Sequence, residues 1–201
     1  MDPSVLMQEY LNLALYHQTS AQLDERIKMN SSLTVSHLNN LSQEEFTQVL
    51  ADIFEHSSWI PERAWLVKPF KNIDHLHTSM VAIVEHSKSQ EKLSLLCAHP
   101  QLAGKEAKSG TLTSSSTEEQ SVANLNSLGR DEMDEITRLN ALYIERHGFP
   151  FIIAVKNQTK TSIFSEFKRR ANNDREVEFD TALAQVAIIA RFRLSALIQG
   201  A

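Results

Sequence analysis

Glycine and proline are both scarce in this sequence. Only five of the 201 residues are glycine and five are proline, whereas glycine usually makes up about 7% of a protein. A β-sandwich or β-barrel needs many tight turns, and glycine supplies the positive φ angles that many of them require. The scarcity argues against an all-β fold. Together with the helix-sized apolar segments described below, it predicts an all-α fold, a single-domain bundle of about eight or nine helices with little or no sheet.

Cysteine is nearly absent. Cys97 is the only one, so the chain can form neither an internal disulfide nor a cysteine-based metal site. The histidines show no spacing typical of metal ligands, and we predict no metal site. Cys97 lies in the apolar run Leu95-Leu96-Cys97-Ala98, which favours a small core residue over a nucleophile. A reducing compartment fits this cysteine content best.

An excess of positive charge and a long apolar run are also missing. The formal net charge is −5, and neither half of the chain has the basic excess with which proteins bind phosphate backbones. We therefore expect no nucleic-acid partner. No apolar run approaches the roughly 20 residues that span a bilayer, and Met1-Asp2-Pro3 does not begin a signal peptide. These features predict a cytoplasmic protein with no membrane association.

The apolar periodicity predicts an N-terminal helical extension over residues 1–33 and an all-α domain over residues 34–201. Residues 101–115 are polar and are predicted to form a long loop, a kind of segment that is often functional. Residues 149–155 form a short apolar run that fits either a strand or a buried extended segment. Helices are predicted over 4–28, after Ser42 (with Glu45 at capping-box spacing), between Ser58 and Pro69, and over about 74–87, 89–98, 117–127, 131–146, 160–172 and 176–198.

Two positions near the polar loop carry side chains suited to chemistry. His99 follows the helix predicted over 89–98, where a histidine interacts favourably with the partial negative charge of a helix C-terminus. The local pattern therefore favours capping over catalysis. Ser116 and Glu119 have capping-box spacing, so Glu119 fits a helix cap. A carboxylate at a helix N-terminus can also present itself to a polar substrate, and free amides there bind anions.

The last predicted helix contains two arginines. Arg191 and Arg193 lie on opposite flanks of its apolar stripe. An arginine at the edge of such a stripe either sends its guanidinium into water or turns it into a pocket as a clamp for a carboxylate. The pattern alone does not choose between the two arginines or the two roles.

Several segments stand in order between about Leu33 and Leu197. They are Phe54-Glu55-His56-Ser57-Ser58-Trp59-Ile60, His99-Pro100-Gln101-Leu102-Ala103-Gly104-Lys105, Ser116-Thr117-Glu118-Glu119-Gln120, Arg138-Leu139-Asn140, His147-Gly148-Phe149-Pro150-Phe151, Asn173-Asp174-Arg175-Glu176 and Arg191-Phe192-Arg193-Leu194. Together they resemble the 2-oxo-4-hydroxy-4-carboxy-5-ureidoimidazoline (OHCU) decarboxylases of urate breakdown. The first 33 residues lie outside the resemblance.

The resemblance implies an all-α, cofactor-free homodimer that acts as a carboxy-lyase and completes the conversion of urate to (S)-allantoin. It implies His99, Glu119 and Arg193 as catalytic residues, which selects Arg193 over Arg191. The substrate contacts that it implies are Pro100, Ser116, Thr117, Glu118, Glu119, Gln120, Phe151, Ile152, Ile153, Ala154 and Val155.

The implied reaction needs charge stabilisation and a proton delivered to one face, without a cofactor, because the conjugated ring takes up the electrons. A histidine has an unperturbed pKa of about 6.5 and can supply that proton near neutral pH. On this hypothesis His99 assists deprotonation or positions the carboxylate, and then protonates the product stereospecifically. Glu119 binds ureido N–H groups and orients His99, and Arg193 holds anionic oxygen.

The sequence departs from the family pattern at two positions. Gln101 stands where the family often has aspartate, and His147 where it often has phenylalanine. A carboxylate beside His99 would raise its pKa. Two other functions are also compatible with the chain, a non-catalytic helical interaction module and a different cofactor-free lyase or hydrolase. The presence of His99, Glu119 and Arg193 argues against the first of these.

Overall fold

The computed structural model describes residues 33–104, 113–122 and 125–199. Within these ranges it contains nine α-helices, one 3₁₀ turn and no β-strand, as predicted for an all-α bundle. The elements are α1 (Val35–Asn40), α2 (Gln43–Val49), α3 (Trp59–Trp65), α4 (Ile73–Glu85), α5 (Ser89–Cys97), α6 (Ser114–Val122), the 3₁₀ turn (Leu125–Ser127), α7 (Arg130–His147), α8 (Lys160–Arg170) and α9 (Arg175–Leu197).

Local capping explains most of the helix starts. Ser42 and Glu45 form the predicted capping box of α2, in which each side chain accepts a hydrogen bond from the other residue's backbone N–H. The short helix α1 was not predicted, because six residues with one buried side chain, Leu38, carry too little apolar periodicity. The helix predicted over 4–28 and nearly all of the extension predicted over 1–33 lie outside the described residues.

The bundle encloses one hydrophobic core. The long helix α9 packs against α4, α5 and α7, so its inward face reaches the centre of the molecule. Cys97 is not part of the core: its side chain is exposed, with Sγ 3.6 Å from the carbonyl oxygen of Gly148. The prediction of a core cysteine is wrong because Leu95 and Leu96 fill the inward face of α5, and the next residue is turned away by about 100°. Among the described residues, no helix combines the length and apolarity that crossing a bilayer requires.

Residues 149–155 leave the end of α7 and cross the core as an irregular buried segment rather than a strand. Gly148 ends α7 in the left-handed region, with φ of 81°, a conformation that favours glycine. The Phe151 ring stacks on Phe167 with 4.0 Å between centroids. Arg170 Nη1 donates to the Ile152 carbonyl over 2.9 Å. These contacts hold the segment against α8 and fix the backbone that lines the site described below.

Candidate active site

His99 lies immediately beyond α5 and is 7% exposed. Its Nδ1 is 2.9 Å from the carbonyl oxygen of Leu95. A carbonyl oxygen only accepts, so the Nδ1 atom carries the proton and a neutral ring keeps an unprotonated Nε2. The Nδ1 contact with a carbonyl of α5 shows the helix-capping role that the sequence favoured. The same residue also lines the cavity described below.

The environment keeps His99 neutral at physiological pH. Burial lowers its pKa from 6.5 to about 4, although the Leu95 carbonyl and the charge of Glu55 both act in the opposite direction. The sequence-based hypothesis starts from the unperturbed pKa of about 6.5 for this histidine, and its buried position in the fold lowers that value. A neutral ring can accept a proton, and can donate one only after it has taken one up.

Arg193 projects from α9 into the same region and is bracketed by two carboxylates. Its Nε and Nη2 donate to the two oxygens of Glu119 over 2.8 and 2.9 Å. Its Nη1 donates to Glu55 Oε2 over 2.7 Å and to the Asp52 carbonyl over 2.8 Å. The second Nη2 hydrogen is directed at Ser116 Oγ, 3.1 Å away. All five guanidinium N–H donors are thus engaged within the protein.

Glu119 is not a helix cap. Helix α6 begins at Ser114, two residues before the predicted cap Ser116, and the Thr113 hydroxyl accepts from the Ser116 N–H over 3.2 Å. Of the two roles that the sequence left open for Glu119, the capping box with Ser116 does not form. A run of Ser and Thr residues offers several possible caps, and the upstream one is used. Glu119 then stands one turn inside the helix, where it reaches Arg193.

Arg191 is placed on the outside of the bundle. It pairs with Asp74 over 2.8 Å, and its side chain is 32% exposed, against 5% for Arg193. The two residues are separated by about 200° around α9, so only one can face the core. The sequence pattern left this choice open, and the structure turns Arg193 inward.

A cavity of about 30 Å³ joins His99 to the Arg193–Glu119 pair. Its wall consists of His99, Pro100, Leu102, Ser116, Glu119, Gln120, Phe151, Ile152, Ile153, Val155, Ile189 and Arg193. Most of the residues implied by the resemblance are therefore together. A larger cavity of about 460 Å³ lies alongside and shares Glu119, Val155 and Arg193 with it.

Three residues implied by the resemblance do not line the small cavity. Thr117 and Glu118 are exposed on α6, because positions 116, 119 and 120 form the inward face of the helix and the two residues between them point away. Glu118 lines the larger cavity instead. Ala154 turns its N–H to the side-chain oxygen of Gln185, 2.9 Å away.

The backbone that follows His99 is held by two buried amide side chains. Gln120 Oε1 accepts from the Ala103 N–H over 2.9 Å. Asn140 Nδ2 donates to the Leu102 carbonyl over 3.0 Å. The orientation of His99 comes from the Leu95 carbonyl, so the departure from the family pattern at Gln101 leaves that orientation intact.

Sequence reasoning missed Glu55 as a residue of the site. It is 1% exposed in the turn segment between α2 and α3. Its Oε1 accepts from the Thr113 hydroxyl and its Oε2 from the Ser116 hydroxyl, each over 2.9 Å, in addition to Arg193. The sequence does contain a signal for its burial, because this glutamate directly follows the apolar pair Ile53-Phe54. Among the described residues, no three His, Cys, Asp or Glu side chains are grouped as metal ligands would be.

The family model for OHCU decarboxylase matches residues 39–195. The chain belongs to the OHCU decarboxylase family. The matched range includes His99, Glu119 and Arg193 as well as the segment at 149–155, so the family's sequence pattern and the assembled pocket cover the same part of the chain.

Two relatives of this chain differ greatly in length. An OHCU decarboxylase from Haloferax volcanii is 38% identical over 163 residues, which cover 81% of this chain and 95% of that protein. The uric acid degradation bifunctional protein PucL from Bacillus subtilis is 40% identical over 165 residues, 82% of this chain. This chain spans only 33% of the length of the Bacillus protein.

Two solved structures resemble the OHCU decarboxylase fold seen here. A crystal structure of (S)-allantoin synthase aligns with a TM-score of 0.68 at 33% identity, covering 83% of this chain and 54% of that one. A crystal structure of an OHCU decarboxylase in the presence of (S)-allantoin aligns with a TM-score of 0.62 at 21% identity, covering 76% of this chain and 99% of that one. The second likeness concerns the fold alone.

Proposed function

We propose that this protein catalyses the decarboxylation of OHCU to (S)-allantoin without a cofactor, as the last step of urate-to-allantoin conversion. The observation that carries the proposal is one cavity wall formed by a buried neutral histidine and an Arg–Glu pair. Membership of the OHCU decarboxylase family supports the same reaction.

The chemistry of the substrate matches these groups. OHCU has a hydroxyl and a carboxylate on one ring carbon and a ureido group on the next. When the carboxylate leaves as CO₂, the electron pair of the broken carbon–carbon bond moves into the conjugated ring. The hydroxyl loses its proton as it becomes a carbonyl, and the carbon that bears the ureido group gains one. A further proton from water neutralises the ring nitrogen.

We assign the proton transfers to His99 and the recognition of the substrate to its neighbours. The unprotonated Nε2 accepts the hydroxyl proton and returns a proton to carbon from one face, which makes the product a single enantiomer. Positioned acid–base groups of this kind contribute about 10²–10⁴-fold to rates. In this proposal Glu119 accepts ureido N–H groups and Arg193 donates to anionic oxygen.

The remaining pocket residues serve as substrate contacts in this proposal. Pro100 and Gln120 line the cavity, Gln120 also accepts a hydrogen bond from the Ala103 N–H, and Ser116 lies beside the guanidinium. The backbone of residues 151–155 contacts the ring and ureido groups. We also propose a cytoplasmic homodimer, which rests on the family resemblance and on the cysteine content.

A coupled assay tests the proposed reaction. OHCU is unstable, so urate oxidase and hydroxyisourate hydrolase generate it from urate in the cuvette, and circular dichroism follows (S)-allantoin. The proposal predicts rapid formation of optically active product at catalytic protein concentration. Racemic allantoin that appears only at the spontaneous rate would overturn it, and would favour an interaction module or a different substrate.

A further inference from the structure

Glu55 is the most deeply buried charged group around the pocket. Its side chain is 2% exposed, whereas that of Glu119 is 28% exposed, although both pair with the same guanidinium. Burial alone would raise the pKa of Glu55, but the charge and hydrogen bonds of Arg193, together with the Thr113 hydroxyl, hold it below 4.5. Glu55 is therefore an ionised carboxylate that the cavity does not reach.

The backbone around Glu55 is arranged to bring it inward. The next residue, His56, has φ of 50°, a left-handed conformation that is uncommon outside glycine. Glu55 then accepts hydrogen bonds from Thr113 and Ser116 on one side and from Arg193 on the other. A single carboxylate thus joins the segment before α3, the start of α6 and the last helix.

The two carboxylates divide the donors of Arg193 between them. Glu55 and the Asp52 carbonyl take both hydrogens of Nη1, and Glu119 takes the Nε hydrogen and one Nη2 hydrogen. If Glu119 turned away, Arg193 would still have a buried ionic partner and would stay in place. The Nε and Nη2 donors would then be free for a ligand oxygen.

We propose that Glu55 is a positioning residue that anchors Arg193, so that Glu119 can exchange its two Arg193 hydrogen bonds for the N–H groups of a ureido ligand. A ureido group carries N–H donors beside a carbonyl oxygen, and so it offers donors to Glu119 and an acceptor to the freed Arg193 donors. Without the Glu55 charge, Arg193 attracts Glu119 alone, and Glu119 is withheld from the ligand. This inference rests on the proposed function, because it takes a ureido compound as the ligand.

Calorimetric titration with (S)-allantoin, which carries the ureido group, tests the exchange. Glu55→Gln keeps the size of the side chain and a hydrogen-bonding oxygen while removing the charge. We expect its Kd for allantoin to rise about tenfold with unchanged stoichiometry, which is the effect of weakening one charge-assisted hydrogen bond. A purely structural role would lower the stoichiometry and leave Kd unchanged. The matched control is Glu166→Gln, which removes a surface carboxylate paired with Arg169 and should leave Kd unchanged.

A double variant tests whether Glu55 acts through Glu119. Glu55→Gln combined with Glu119→Gln should bind allantoin no more weakly than Glu119→Gln alone. The proposal would be overturned if the two substitutions raised Kd by independent factors that multiply in the double variant. It would also be overturned if the Kd of Glu55→Gln lay within twofold of that of the unaltered protein.

A second variant keeps the test decisive if Glu55→Gln fails to fold. Glu55→Asp retains the charge but draws it back from Arg193 by one methylene, and should give a smaller rise in Kd; an unchanged Kd would also overturn the proposal. Failure of the unaltered protein both to bind allantoin and to convert OHCU would instead overturn the proposed function, and the inference would fall with it.

Discussion

Glu178→Ala is expected to be among the most destabilising single substitutions in this protein. The Glu178 side chain is fully buried and pairs with Arg170, which is 2% exposed. It also accepts hydrogen bonds from the Tyr143 hydroxyl and from Asn173 Nδ2, the latter over 2.7 Å. The substitution leaves a buried guanidinium without its counter-ion and leaves two further donors without their acceptor.

The expected loss follows from the cost of an unpaired buried charge. Removing one partner of a buried ion pair typically costs about 3–5 kcal/mol. In a domain of this size each kcal/mol corresponds to about 2–4 °C in Tm, so we expect Tm to fall by about 6–20 °C. The total free energy of unfolding of a domain is only about 5–15 kcal/mol, so the variant should be close to its limit of stability.

Urea denaturation followed by circular dichroism at 222 nm measures this loss. Glu166→Ala is the matched control, because it also removes a glutamate from an arginine pair, but at the surface, where such pairs contribute no more than about 1 kcal/mol. A difference between the two variants of less than about 1 kcal/mol would mean that the buried pair contributes no more to stability than the surface pair does. Should Glu178→Ala not fold, Glu178→Gln, which retains an acceptor oxygen, should show an intermediate loss.

Two further predictions concern histidines. Because the pKa of His99 is lowered to about 4, kcat/KM should stay level from pH 7 down to about pH 5, and an acid limb near pH 6.5 in the pH–rate profile would contradict this. His147 is fully buried among aromatic rings. Its ring nitrogens make no well-formed hydrogen bond in the described part of the chain. Burial lowers its pKa below 6.5. The unfolded state therefore takes up a proton more readily than the folded state below pH 6.5, so His147→Phe should gain stability relative to the unaltered protein as pH falls from 7 to 5. A difference in urea midpoint between the two proteins that is the same at pH 5 as at pH 7 would count against it.

Local sequence signals predicted the described helices except α1, and most of their limits to within one or two residues. The capping box at Ser42 and Glu45 and the glycine at 148 act within a few residues of the chain, so the sequence reveals them directly. The same reasoning left two roles open for Glu119, because a local cap and a distant arginine compete for one carboxylate. It misplaced Cys97, whose exposure depends on which face of α5 the bundle covers.

The ion pairs of the candidate site join residues that are far apart in the chain. Glu55 and Arg193 are separated by 138 residues, and Glu119 and Arg193 by 74. No periodicity within one helix reveals such pairs. The resemblance to a known family supplied His99, Glu119 and Arg193. The role of Glu55 became visible only when the tertiary structure placed it against the same guanidinium.

In the proposed reaction, His99 moves the protons of an enantioselective decarboxylation. The most direct test compares (S)-allantoin formation by the unaltered protein, His99→Asn and His86→Asn in the coupled assay. His86 is the matched control, because its Nδ1 also contacts a carbonyl four residues back, Ala82, over 2.7 Å, but at the exposed end of α4. We predict that His86→Asn retains full activity, while His99→Asn loses at least about 10²-fold and leaves only racemic product. Near-normal, enantioselective turnover by a folded His99→Asn protein would show that His99 does not carry these proton transfers.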